Sequence, residues 1–236
     1  MIQSHKTPFA PGKKMLDLLN ENYSLLLFLQ HFNVDFAVDN KSVGELCIEN
    51  HINPGVFIVI GNLYNGFYPG KTEIENLNDL PSILKFLKNS HTFYKEDKYP
   101  ELSEYLKILK QSQNRKDMEL LELFFYDYFK EVLDHLRYED EIAFPYFCSI
   151  LDARGNDPTT GFSAEEYRNH HTDIETKLTD LKNLFLKHLP IKNELNLKRK
   201  FLNSLFGLEF DLKIHSMIEE KILIPVVARM ERERHG

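Results

Sequence analysis

Two stretches of the chain carry the same pattern of side chains. His135-Leu-Arg-Tyr-Glu139-Asp140-Glu-Ile142-Ala-Phe144-Pro145 and His215-Ser-Met-Ile-Glu219-Glu220-Lys-Ile222-Leu-Ile224-Pro225 both read H-x-x-x-E-[DE]-x-I-x-[FI]-P. On an α-helix a His and a Glu four residues apart are about 40° apart around the axis and about 6 Å along it, so one imidazole and one carboxylate can converge on a common centre. That is metal-ligand spacing. The acid that follows, Asp140 or Glu220, falls about 100° further round and does not share that face, which leaves it as a solvent-facing group or as support for a ligand. The proline that closes each cassette is expected to kink its helix beyond the site.

A second regularity extends the first. His91 and His135 lie 44 residues apart, and so do His171 and His215. Two helical hairpins repeating in register would each deliver one His from the first helix and a His plus a Glu from the second. The equal separations favour His171 over its neighbour His170, and a Thr follows both His91 and His171. The candidate metal ligands are therefore His91, His135, Glu139, His171, His215 and Glu219. Four imidazoles and two carboxylates, with no thiolate, suit a pair of borderline divalent ions rather than calcium or magnesium. Iron is the leading choice, with manganese or zinc as alternatives. Glu139 and Glu219 would bridge the two ions at a separation of about 3.5–4 Å. Open coordination positions, shielded by Phe125, Tyr128 and Phe144, would admit O2, NO or peroxide. Tyr94, one turn beyond His91, supports the site or simply packs.

The elements that must position these residues read as helices. Apolar residues between Lys13 and Phe32 recur at three- and four-residue spacing. Ser42 and Glu45 fit a capping box that opens a short helix to about Glu49. Asn53-Pro54 starts a segment, Gly55 to Leu63, that is a strand by propensity and a buried helix by context, and helix is preferred. Breakers from Tyr64 to Gly70 and a polar stretch to Asp79 mark a domain boundary, giving a small helical domain over 1–72 and a second domain over 79–236. In the second domain one helix begins near Leu80-Pro81 and breaks around Tyr99-Pro100. A long helix follows from about Lys116 to Leu151, a third runs from the Ser163–Glu166 capping box to His188, and a fourth covers Ile191 to Arg234. The predicted fold is all-α, an up-down four-helix bundle preceded by a small helical domain, an architecture that builds metal sites from side chains facing its core.

Composition narrows the function classes. The 236 residues include 29 Lys+Arg against 36 Asp+Glu, a net charge of −7, which argues against nucleic acid or an anionic membrane surface as partner. The 42% hydrophobic content supplies a core. Only two cysteines occur, Cys47 and Cys148, in no CxxC pair, so a reducing, cytoplasmic setting is expected, with both as buried small hydrophobes. The polar N-terminus lacks the apolar stretch of a signal peptide, and the longest apolar runs, 25–29 and 56–60, fall short of the roughly 20 residues of a membrane helix.

The cassettes resemble those of the hemerythrin-like family, and more closely the iron–sulfur cluster repair di-iron proteins. That family carries a first-helix His shortly before a Leu-Pro-Glu-Leu-like stretch, similar to His91 and Tyr99-Pro100-Glu101-Leu102. It has two H-x-x-x-E-x-x-x-x-F-P cassettes, similar to those at His135 and His215, and an E-H-D-like motif where this chain has His170-His171-Thr172. The resemblance implies a carboxylate-bridged di-iron centre on the same six residues. It implies repair of iron–sulfur clusters or iron centres after nitrosative or oxidative stress, with NO or O2 as ligands and damaged iron–sulfur proteins as partners. It also implies a homodimer formed through the N-terminal domain. That domain's V-D-F-C-C-G-G-K-like motif is matched by Val34-Asp35-Phe36-Ala37-Val38-Asp39-Asn40-Lys41, in which both cysteines and both glycines are replaced. An O2- or NO-binding, or iron-storing, module without turnover is the alternative.

Overall fold

The computed structural model describes residues 6–112, 116–151, 162–170, 174–188 and 194–235. Among them all regular structure is helical, apart from one isolated bridge between Lys14 and Ser42. No described helix is long and apolar enough to cross a membrane.

The first helices are α1 (Met15–Glu21) and α2 (Leu25–His31). One continuous helix from Lys13 to Phe32 was expected, and Asn22 breaks it. Its backbone is extended, and its side chain accepts from the Ser24 amide at 3.2 Å while donating to the Tyr64 carbonyl at 3.0 Å and to Asn65 Oδ1 at 2.9 Å. An Asn side chain that bonds neighbouring backbone offers the chain an alternative to the helix, which a hydrophobic pattern does not register. The Ser42–Glu45 capping box is formed and opens α3 (Val43–Glu49). The apolar run at 56–60 is helical, within α4 (Pro54–Tyr64). Asn53 caps the Gly55 and Val56 amides and Pro54 occupies the opening turn, so the start signals prevail over β-propensity. A short α5 (Lys71–Glu75) lies in the polar stretch.

Three long helical runs follow a common plan. In the first, α6 (Leu80–Phe93) passes through a π turn at Tyr94–Lys98 into α7 (Tyr99–Ser112), so the break expected at Tyr99-Pro100 is absent. In the second, α8 (Lys116–Tyr138) passes through a π turn at Glu139–Ala143 into α9 (Phe144–Ile150). After α10 (Ala164–His170) and α11 (Ile174–His188), the third run takes α12 (Leu195–Ile218) through a π turn at Glu219–Leu223 into α13 (Ile224–His235). Each time, the residue before a proline donates its N–H five residues back: Tyr99 to Tyr94, Phe144 to Glu139 and Ile224 to Glu219. Proline has no N–H to give and its ring collides with the carbonyl four residues back in an α-helix, and a widened turn removes that collision. Kinks were expected beyond the cassettes; what each cassette holds is a π turn that starts at its Glu and ends two residues before its proline.

The chain forms two compact units. The first comprises Met1–Ser90, Phe147–Arg168 and Ser216–Gly236, and the second His91–Tyr146 and Asn169–His215. The first unit is built on aromatics: Phe28 meets Phe57 at 4.5 Å between ring centroids, and Phe32 meets Phe86 at 4.9 Å. A Cβ on Gly61 would stand 2.6 Å from the Phe9 ring, so glycine is what lets α4 approach it. Cys47 is buried there as a small apolar group, whereas Cys148 is exposed, contrary to expectation. In the second unit α8 packs on α11, and the Phe129 ring lies 4.8 Å from Tyr99 and 4.7 Å from Phe125.

Candidate metal centre

The second unit brings three of the expected ligands together. His91 arrives from the end of α6, Glu139 from the first residue of the π turn after α8, and His215 from the last turn of α12. Their ligand atoms all lie within 4.8 Å of one another. His91 Nε2 is 3.2 Å from Glu139 Oε2 and 3.4 Å from His215 Nε2. His135, one helical turn before Glu139, approaches the other oxygen, with Nε2 3.1 Å from Oε1. The Glu139 carboxylate therefore sits between two imidazoles, itself fully buried, with His91 equally buried and His135 and His215 nearly so. An ionised carboxylate and several imidazoles withdrawn from water are costly unless they are paired or bind a cation.

The imidazole of His91 is held on both sides. Its Nδ1 lies 2.8 Å from Asp140, which is also bonded by Lys95 Nζ at 2.8 Å. The ring stacks on Phe144, with centroids 5.4 Å apart. Burial alone disfavours the imidazolium, yet the hydrogen bonds of Asp140 and Glu139 outweigh it and raise the His91 pKa to about 9. Burial likewise works against the Asp140 carboxylate, but His91 and Lys95 hold its pKa down at about 2. Of the two roles open to the acid after each candidate ligand Glu, Asp140 therefore takes the supporting one. A carboxylate on the far nitrogen fixes ring orientation and tautomer, and histidines that ligate metals are almost always held in this way. Glu220 takes the other role: it is exposed and 3.6 Å from Lys221.

Glu219, in the first unit, is 1% exposed and accepts a hydrogen bond from the Tyr167 hydroxyl at 2.8 Å. His171 lies outside the described residues, so its choice over His170 does too. Tyr94 is both packed and bonded, with its ring edge-on to His215 at 5.7 Å and its hydroxyl donating to Asp211 at 2.8 Å. Asp211, a buried carboxylate one helical turn before His215, went unnoticed in the sequence, although its four-residue spacing to a candidate ligand was the available signal. Tyr167 also escaped notice.

The donor set fits a metal ion. Two imidazole Nε2 atoms and a carboxylate oxygen, gathered away from water and braced from behind, are the ligands that transition metals of borderline softness select, and no thiolate is present to favour a softer ion. No protein-family model matches the chain, and no match is found among curated proteins or among solved structures. The class the chain defines is an all-helical protein with buried His/Glu groups able to hold a metal ion.

Proposed function

We propose that this protein is a di-iron protein of the iron-centre repair type, acting where nitrosative or oxidative stress damages iron–sulfur clusters or iron centres. The observation that carries the reading is the convergence of His91, Glu139 and His215 inside the second unit, on cassettes that resemble those of the repair family. His91, His135, Glu139, His171, His215 and Glu219 would hold the pair of ions in an up-down four-helix bundle. Such a pair supplies redox chemistry and open coordination positions for NO, O2 or peroxide. The protein's own residues do the rest. Asp140 keeps Nε2 of His91 directed inward, Tyr167 steadies the Glu219 carboxylate, and Phe144 closes one face of His91 against water.

Metal analysis tests the reading. Purified protein, or protein reconstituted anaerobically with Fe(II), should contain two irons per chain with a coupled di-iron signal by Mössbauer spectroscopy. Neither iron nor any other transition metal, with no gain on Fe(II) addition, would remove it. A second reading, an O2- or NO-binding or iron-storing module in the cytoplasm without turnover, is favoured by Ala37 and Val38 standing where the family has cysteines. Multiple-turnover consumption of NO or peroxide by the reduced protein separates the two.

A further inference from the structure

A groove of about 1020 Å³ lies within the first unit, well away in chemistry from the imidazoles and carboxylates of the metal centre. One wall is the segment from Tyr68 through α5, and the other is the outer face of the last π turn and α13, with Arg168 at the end of α10 contributing a side chain. Its volume matches the upper range of cavities that enclose small organic ligands.

Two features of its lining point to one kind of occupant. The walls are largely apolar, from Pro69, Ile74, Pro225 and Ala228, with the Tyr68 ring 70% exposed beside them. Charge is the second feature: five of the lining residues are cationic and two acidic, in a chain whose net charge is −7. The two acids are loosely engaged by neighbours on their own helical segments, Lys71 to Glu75 and Lys221 to Glu220, each at 3.6 Å and exposed, pairings worth little in water. Arg229 is committed to the scaffold. Its guanidinium donates to the carbonyls of Ile74, Glu75 and Leu77 and to Asn78 Oδ1, closing the C-terminal end of α5 and fixing one wall against the other. Arg168 and Arg232 remain, and among the described residues neither is within ion-pair distance of a carboxylate.

We propose that the groove binds a small organic anion with an apolar or aromatic body, its carboxylate, phosphate or sulfonate held by Arg168 and Arg232 and its body lying on Tyr68, Ile74 and Pro225. A guanidinium presents a planar fork of donors that matches such an anion, and a charge alone would leave the apolar walls wet. An uncharged apolar molecule would leave both arginines unanswered.

The test is a fluorescence titration of the full-length protein with 8-anilinonaphthalene-1-sulfonate, an aromatic body carrying one sulfonate. Saturable binding of one probe per chain is expected, weakened by about tenfold or more in Arg168→Glu/Arg232→Glu. Ala228→Trp, which fills the groove and leaves every charge in place, should abolish it, with far-UV circular dichroism confirming that both variants are folded. Non-saturable binding, binding of unchanged affinity in folded Arg168→Glu/Arg232→Glu, or binding that survives in folded Ala228→Trp, would overturn the proposal. So would weakening by charge reversal without loss in Ala228→Trp, since that pattern reports attraction to the surface alone.

Discussion

The cassettes at His135 and His215 agree in residue type at six positions, and their surroundings differ at each of the chemically active ones. Glu139 lies between the imidazoles of His91 and His135, whereas Glu219 takes a hydrogen bond from a phenol, Tyr167. Asp140 reaches the far nitrogen of His91, whereas its counterpart Glu220 is out in solvent beside Lys221. Four residues before each His the contrast reverses. Glu131 is exposed and paired with Lys177, while Asp211 is buried and bonded by Tyr94. A repeated pattern thus sets ligand type and spacing, and what packs around it decides what each carboxylate does. Two metal positions built on these cassettes would be chemically unequal.

The strongest way to break that comparison is to remove the two glutamates in turn. Glu139→Ala should bring metal content close to zero, because this carboxylate lies between the imidazoles of His91 and His135, while Glu219→Ala, which removes a group held by Tyr167, should retain about one ion per chain; equal losses by elemental analysis would erase the distinction. The supporting acids come next. Asp140→Asn should weaken metal binding about 10- to 100-fold in competition with a chelator. Glu220→Gln should change it by less than about twofold, and a matching loss there would mean that the acid after each ligand plays one role in both cassettes. Tyr94→Phe withdraws a donor from the buried Asp211 carboxylate, and should cost about 1.5–3 kcal/mol in urea unfolding with metal content preserved. The smallest effect concerns Cys148, three residues past Pro145, where the other cassette has Ala228. A thiol reagent at pH 8 should modify exposed Cys148 quickly and leave metal content unchanged. Cys47, whose pKa burial pushes up to about 11, should react only on unfolding, and equal rates would contradict that placement.

The parts of this architecture readable in the sequence are those written in short-range signals. Capping residues at Ser42 and Asn53 located two helix starts, and the four-residue interval between His135 and Glu139 placed both on one face. The break at Asn22 depended on partners more than 40 residues away, Tyr64 and Asn65, which no local pattern contains. Asp140 was correctly placed off the face of Glu139. Helical offset alone, however, could not show that this second face looks onto the other nitrogen of the same imidazole, because His91 comes from a different helix. The continuation of the helix through Tyr99-Pro100 was missed for a similar reason: a proline reads as a stop unless a wider turn precedes it.

That wider turn has a consequence for the ancestry of the chain. A π turn contains one residue more than the α-helix would need to cover the same arc, so each behaves as a single-residue insertion frozen into a helix. Losing any one residue from 140–143 or 220–223 would return the segment to a plain α-helix and swing everything after it through about 100°. A relative without the site should therefore align with this chain through a one-residue gap at those places, between the cassette's glutamate and its proline.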